Sequence, residues 1–185
     1  MFCIATCCRA FLEQMKLAAA QGLPIVIHSG EAMRDTLDMP GSRADIGLFG
    51  ILHCFTGTLA DDIEVVDGEP KLGIGGVVNY KKAGLAEVIA EVDLEHLVLE
   101  TDAPYLSPVP FRGKRNDRSY IRFVAEKIAM IKKASVTEVA RITTANAKTF
   151  SAVFKTTTTI VIMAVSLMQI FLAWRIEYYP EIRLQ

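Results

Sequence analysis

The sequence predicts an α/β fold with a parallel sheet, and two observations carry this prediction. The first is the succession of four strand–helix units, in which short apolar runs alternate with segments of helical periodicity. The second is that three of the four strands end in a side chain suited to catalysis, namely His28, His53 and Asp102. Chemistry at the carboxyl ends of parallel strands is the rule in βα barrels. A doubly wound open sheet is the alternative, although no Gly-x-Gly-x-x-Gly fingerprint opens a helix in this sequence.

The first two units occupy the N-terminal third of the chain. Their predicted elements are, in order, a helix over 11–21, a strand over 24–28, a helix over about 31–39, a strand over 50–55 and a helix over 59–66. Glycine or proline stands at most of the junctions and ends the preceding element. Each strand in this part is short and apolar and contains one histidine at or near its end, His28 or His53.

The last two units carry the remaining strands. Their predicted elements are a strand over 72–77, a helix over 83–92, a strand over 97–99, a helix over 119–132 and a further helix that begins near 135. The first of these strands is rich in glycine, which indicates a close approach of backbone at its end. The last helix opens with Ser135 and Glu138, the spacing of a capping box.

The functional prediction depends most on the stretch 96–116. Its apolar strand passes directly into Glu100 and Asp102, and because strand side chains alternate, both acids lie on the same side. Two carboxylates that point together are costly unless a cation or hydrogen-bond donors meet them. The alternative is a pair of solvated loop acids, since carboxylates are mostly exposed.

Length, charge and cysteine content limit the class of protein. A chain of 185 residues suits one domain with a sizeable core. Its 20 Lys and Arg against 21 Asp and Glu give a net charge of −1, so binding of nucleic acid must come from a local patch. The four cysteines, Cys3, Cys7, Cys8 and Cys54, lack the spacing of a zinc site or disulfide framework. Reduced thiols and a cytoplasmic location are therefore expected, with the nucleus as an alternative.

A basic loop follows the acidic strand. Its cations Arg112, Lys114 and Arg115 lie near the expected site, where they can hold phosphate oxygens. A solvated basic turn is the alternative. Tyr105 and Phe111 in the same region can stack on a base, although aromatic side chains beside prolines more often pack.

The three strand ends together predict a metal site. Either histidine alone is more typical of a core or loop position than of a ligand. Neighbouring parallel strands, however, bring His28, His53 and Asp102 close together. Imidazole nitrogen with carboxylate oxygen is a ligand set for Zn, Mn or Mg at a hydrolytic site.

Four runs of the sequence also carry a family resemblance. They are IVIHSGEA from Ile25, GILHCFTGT from Gly50, LGIGGVVNYKKAG from Leu72 and LVLETDAPYLSPVPFRGKRN from Leu97. With TTANAKTF near the end of the last predicted helix, they resemble the TatD-type metal-dependent deoxyribonucleases over residues 11–150. The resemblance implies a TIM-like βα barrel of the amidohydrolase type with a two-metal site. Such a site hydrolyses phosphodiester bonds in DNA, typically with magnesium.

The same resemblance implies residue roles. His28 and His53 would be metal ligands on strands five and six of the barrel. Asp102 would lie on strand eight as a ligand or as the base for the attacking water, with Glu100 in a supporting role. The family's His-x-His pair of strand one and its strand-four glutamate have no counterpart here, and Gly30 stands where arginine is usual. We therefore expect the C-terminal half of a barrel, truncated at its N-terminus, whose open edges favour association with another chain or copy.

The ends of the chain fall outside the resemblance. We expect an atypical leader over 1–10, the partial barrel over 11–150 and an unrelated apolar tail over 151–185 that forms a helix or a membrane segment. Residues 156–174 of the tail are uncharged. Three explanations apply to this tail. It covers the open half-barrel as a helix, it anchors the chain in a membrane, or, as we favour, it is sequence read past a lost exon junction or reading frame.

Three functional hypotheses follow. The first is a metal-dependent hydrolase that acts on phosphodiester bonds of DNA, with an activity limited by the missing N-terminal ligands. The second is a catalytically inactive product that associates with a partner chain or membrane through its apolar tail. The third is a phosphate-binding module that uses only the basic loop, Arg112 to Asn116.

Overall fold

The computed structural model describes residues 4–37, 50–58, 70–154 and 163–164. Within these ranges the helices are α1 (Ile4–Ala20), α2 (Met33–Leu37), α3 (Leu85–Glu91), α4 (Ile121–Lys132) and α5 (Val136–Phe154). The strands are β1 (Ile25–Ile27), β2 (Gly50–Leu52), β3 (Pro70–Ile74), β4 (Leu97–Leu99) and β5 (Met163–Ala164). Short 3-10 turns precede α2, β4 and α4 and follow β3.

The described strands form one parallel sheet in the order β4-β3-β2-β1-β5. From β1 to β4 each strand pairs with the next one along the chain, as expected for successive βα units. The predicted α/β fold with a parallel sheet is confirmed.

The register aligns leucines across the sheet. Leu52 pairs with Leu72, and Leu72 pairs with Leu97. These three side chains are almost fully buried, so they form one layer of the core. The pairing of β1 with β2 also needs a glycine, because a Cβ on Gly50 would lie 1.9 Å from the carbonyl oxygen of Ile25.

The helices cover the sheet with their apolar faces. Phe11, Met15 and Ala18 of α1 are buried, which is the spacing that predicted this helix. The helix begins at Ile4, however, and so extends through the segment predicted as a leader. The side chain of Ser135 accepts a hydrogen bond from the backbone N–H of Glu138 over 3.1 Å, which confirms the predicted cap of α5.

The boundaries of β3 differ from the prediction. The strand begins at Pro70 rather than at residue 72, since the first position of a strand tolerates a residue without an N–H group. It ends at Ile74, because residues 76–79 turn into a 3-10 helix. The helix predicted over 59–66 lies outside the described residues.

The predicted tail is described at two places. Residues 151–154 continue α5, and Met163 and Ala164 form β5 beside Val26 and Ile27 of β1. At these two residues the structure has a strand instead of the expected helix, and the rest of that prediction lies outside the described residues. None of the helices in the described ranges is long and apolar enough to cross a membrane.

Candidate metal centre

The candidate site lies at the carboxyl edge of the sheet. His28 follows β1, His53 follows β2, and Glu100 and Asp102 follow β4. Because the strands are parallel and in register, these residues leave the sheet at the same edge. The sequence placed each of them at a strand end, and the structure brings His53, Glu100 and Asp102 into direct contact.

His53 lies between the two carboxylates. Its Nδ1 is 2.7 Å from Oε2 of Glu100, and its Nε2 is 3.2 Å from Oδ1 of Asp102. The hydrogen bond to Glu100 raises the pKa of His53 above its ordinary value, and the negative charges of both acids add to this effect against the opposing effect of burial. The same shift favours the protonated imidazole, whose two ring nitrogens can donate to the two acids.

Glu100 bonds to the ring of His53 and to the backbone beside it. Besides the bond from His53, its carboxylate accepts a hydrogen bond from the backbone N–H of Cys54 over 2.5 Å. A Cβ on Gly73 would lie 2.5 Å from Oε2 of Glu100, so a glycine in β3 makes room for this carboxylate. The contacts agree with the supporting role assigned to Glu100, because an acid bonded to Nδ1 fixes the ring and leaves Nε2 to face a ligand.

The turn that carries Asp102 is held by a residue that sequence reasoning had not singled out. Asp102 has a left-handed backbone with φ of 52°, which a non-glycine residue rarely adopts. Asn116 is buried, and its side-chain amide donates to the carbonyl oxygens of Thr101 at 2.5 Å and Tyr105 at 2.6 Å. The N–H of Tyr105 in turn donates to the Asp102 carbonyl over 2.9 Å. The only sequence signal for Asn116 was its place at the end of the basic loop.

His28 lies beside the other histidine. The centroids of the His28 and His53 rings are 5.2 Å apart, and the ring planes are tilted by 40°. The described residues nevertheless include no group of three His, Cys, Asp or Glu side chains arranged to hold a metal ion. The ligand set of His28, His53 and Asp102 therefore stays a prediction, whereas the pairing of His53 with Asp102 is observed.

That pair fits a divalent cation. Metal bonds to histidine nitrogen and carboxylate oxygen are about 2.0–2.2 Å long, so two neighbouring ligands of one ion stand roughly 3 Å apart. The 3.2 Å between His53 Nε2 and Asp102 Oδ1 matches this separation. Imidazole and carboxylate together suit Zn or Mn, and the carboxylate suits Mg.

Cys54 adjoins the site, where its backbone N–H donates to Glu100. Burial raises the pKa of its thiol to about 12, with further increases from the charges of Asp102 and Glu100. The thiol of Cys54 is therefore almost entirely protonated near neutral pH.

The basic loop stands at the surface. Arg112, Lys114 and Arg115 are all exposed, as a phosphate-binding role requires. Phe111 packs instead of facing solvent, because its ring stacks on Tyr120 at 4.1 Å between centroids and meets Phe123 edge-on. Tyr105 is 71% exposed, so of these two aromatic side chains it is the one free to meet a base.

Known proteins resemble this chain over most of its length. Residues 4–151 match the family model described as TatD related DNase. The uncharacterized metal-dependent hydrolase YabD of Bacillus subtilis is 42% identical over 139 residues, which make up 75% of this chain and 54% of that protein. The 3'-5' ssDNA/RNA exonuclease TatD of Salmonella typhimurium is 35% identical over 153 residues, or 79% of this chain and 59% of that protein.

Solved structures agree with the sequence relatives. The crystal structure of the TatD homolog YjjV from Escherichia coli has a TM-score of 0.65 and 28% identity, and the match covers 75% of this chain and 53% of that one. The chain spans about half the length of the curated relatives it matches. The predicted likeness to the TatD-type, amidohydrolase-like barrels is confirmed. The chain belongs to the TatD-related DNase family.

Proposed function

We propose that this chain forms part of a metal-dependent hydrolase that cleaves phosphodiester bonds of DNA. The observation that carries the proposal is the contact of His53 with both Glu100 and Asp102 at the carboxyl edge of the sheet. A histidine held by one carboxylate and paired with another is the usual arrangement of a ligand and its orienting partner.

The proposed ligands are His53 and Asp102, with His28 beside them. Magnesium is the expected ion, and manganese and zinc are the alternatives. When bound, the ion polarises a phosphoryl oxygen and lowers the pKa of bound water. Glu100 accepts a hydrogen bond from Nδ1–H of His53, which leaves Nε2 as the nitrogen that would hold the ion, while Asp102 would serve as a ligand or as the base for the attacking water.

The substrate is proposed from the charges around the site. Arg112, Lys114 and Arg115 are exposed and follow the acidic strand, where they can bind phosphate oxygens and offset the acids. The Salmonella relative is named as an exonuclease of single-stranded DNA and RNA. For this chain we propose DNA as the substrate.

Within the described residues, β4 and β5 are the edge strands of the sheet. We propose that these edges allow self-association. The alternative is an inactive product that associates with a partner chain or membrane through its apolar tail, and it predicts that DNA is left intact in Mg²⁺ and in Mn²⁺.

Cleavage of a labelled single-stranded oligodeoxynucleotide in Mg²⁺ or Mn²⁺ tests the proposal. The wild-type chain is expected to cut it in metal and to lose activity in EDTA. D102N is expected to reduce the rate about 10²-fold or more, because the amide is neither a good ligand nor a base. E13Q, which removes an exposed charge on α1, serves as the control. Absence of cleavage in both metals, or an undiminished rate in D102N, contradicts the proposal.

A further inference from the structure

A second basic segment lies near the basic loop. It follows β3 and the 3-10 turn over residues 76–79, and it consists of Tyr80, Lys81 and Lys82. Both lysines are exposed. The segment lies at the same edge of the sheet as the candidate site, because it continues from the carboxyl end of a parallel strand.

Tyr80 joins this segment to the basic loop through two contacts. The guanidinium carbon of Arg112 lies 4.2 Å from the centroid of the Tyr80 ring, within the range of a cation–π interaction. The Tyr80 hydroxyl donates to the carbonyl oxygen of Ser107 over 2.9 Å, and the Ser107 hydroxyl donates to the carbonyl of Lys114. The ring and the hydroxyl therefore fix the position of the loop at separate points.

The two segments together carry an unbalanced positive charge. Their cations are Lys81, Lys82, Arg112, Lys114 and Arg115. Among the described residues, no carboxylate forms a salt bridge with any of these five side chains. Stacking of Arg112 on Tyr80 leaves the edge of its guanidinium able to donate to phosphate oxygens.

Tyr105 adds an exposed aromatic side chain on a segment that is joined to the end of the basic loop. Its side chain is 71% exposed. Its backbone bonds to Asp102 on one side and to the side chain of Asn116, at the end of the basic loop, on the other. Exposed aromatic rings and cations together bind single-stranded nucleic acid, because a base stacks on the ring while the phosphates meet the charges.

We propose that Tyr80, Lys81 and Lys82 form one single-strand-binding surface with the basic loop and Tyr105. The inference rests on the proposed function for the chemistry at the site, but the binding itself needs no metal. Lys81 and Lys82 contact phosphates, and Tyr80 is a positioning residue that holds Arg112.

The test is binding of a fluorescein-labelled oligothymidylate, followed by anisotropy in EDTA between about 50 and 200 mM salt. The wild-type chain is expected to bind in EDTA. K81A/K82A should lower the slope of log affinity against log salt by about 1.4, or roughly 0.7 for each lost phosphate contact. The control K127A/R141A removes two cations from α4 and α5 and should keep the slope. Absence of wild-type binding in EDTA, an unchanged slope in K81A/K82A, or an equal loss in the control would overturn the inference.

Variants of the two tyrosines test the aromatic contacts. Y80L removes the ring beneath Arg112 and should weaken binding, whereas Y80F keeps the ring and should bind more tightly than Y80L. Y105A should weaken binding of the single strand at least about fivefold and binding of its duplex less, because stacking requires an unpaired base. Affinities equal to that of the wild type in both Y80L and Y105A would contradict the inference. If the chain binds the oligothymidylate in EDTA but cleaves no DNA in Mg²⁺ or Mn²⁺, the proposed function is refuted and the binding surface is still supported.

Discussion

At the scale of single residues, the proposed function depends on the hydrogen bond between Glu100 and His53. Its carboxylate accepts from two donors, the His53 ring and the backbone N–H of Cys54. Each carboxylate oxygen accepts from one of these donors, so both oxygens of Glu100 are engaged. Gly73 leaves the space that this carboxylate occupies, since a side chain there would collide with it.

The first prediction concerns E100Q. An amide presents one oxygen and one NH₂ group, so it cannot accept from both donors, and the His53 ring loses its fixed orientation. We expect the affinity for Mn²⁺ to fall about 10- to 100-fold in a titration followed by electron paramagnetic resonance. E95Q removes an exposed charge before β4 and is the matched control. Equal affinities of E100Q and wild type would show that Glu100 does not orient the ligand.

The second prediction concerns Cys54 and pH. Burial and the neighbouring acids raise the pKa of its thiol from 9.0 to about 12. At pH 8 an ordinary thiol is about one-tenth ionised, whereas this thiol is ionised to about one part in 10⁴, so its alkylation should be about 10³-fold slower. The neutral thiol is favoured in the folded chain, so this contribution to stability is present below pH 9 and is lost as the pH rises toward 12.

Peptide mass spectrometry after treatment with iodoacetamide measures this reactivity. Cys54 should stay unmodified in the folded chain at pH 8 and react fully in urea, where the burial and the neighbouring charges are lost. Rapid modification of Cys54 in the folded chain would mean that its thiol is ionised or open to solvent.

At the scale of elements, β4 is held at both ends by asparagine side chains. Asn116 donates to the carbonyls of Thr101 and Tyr105 beyond its carboxyl end. Asn146 of α5 donates to the carbonyls of Leu94 and Leu97, each over 2.8 Å, at its amino end. Only the two bonds of Asn116 lie on either side of Asp102 in the sequence. Comparison of the two asparagines therefore separates an effect on Asp102 from an effect on stability alone.

The third prediction uses that comparison. N116A and N146A each remove two hydrogen bonds to backbone carbonyls and should each lower the free energy of unfolding by about 1–3 kcal/mol, measured by urea denaturation. N116A should also weaken Mn²⁺ binding, because it frees the turn that carries Asp102. N146A should leave that affinity unchanged. If both variants bind Mn²⁺ as the wild type does, the turn does not depend on Asn116.

Some features of these elements could be predicted from the sequence, and others could not. The bounds of β4 and the cap of α5 were predicted, because a short apolar run and a capping box are local patterns. The clustering of His53 with the two acids followed from parallel strands alone. The glycines of β3 predicted a close approach at this strand, although not that Glu100 fills the space beside Gly73. The contacts of Asn116 and Tyr80 were not predicted, since each joins segments whose spacing is set only by the folded chain.

At the scale of the whole molecule, the parallel sheet could be predicted and its fifth strand could not. Successive βα units place β1 to β4 side by side in chain order. Met163 and Ala164 follow a β-branched run over 156–162 that favours a strand, but a run without a period-two pattern does not separate a strand from a buried helix or show that it pairs with β1.

Stabilisation by metal tests the central claim, that His53 and Asp102 hold a divalent ion, most directly. Thermal unfolding is followed in EDTA and in Mn²⁺ or Mg²⁺ for the wild type and D102N. A free ion at 100 times its dissociation constant stabilises the folded state by about 2.7 kcal/mol, which raises the unfolding temperature by roughly 5–10 °C. The wild type is expected to show this rise and D102N to lose most of it. No rise in the wild type, or an equal rise in D102N, would contradict the claim.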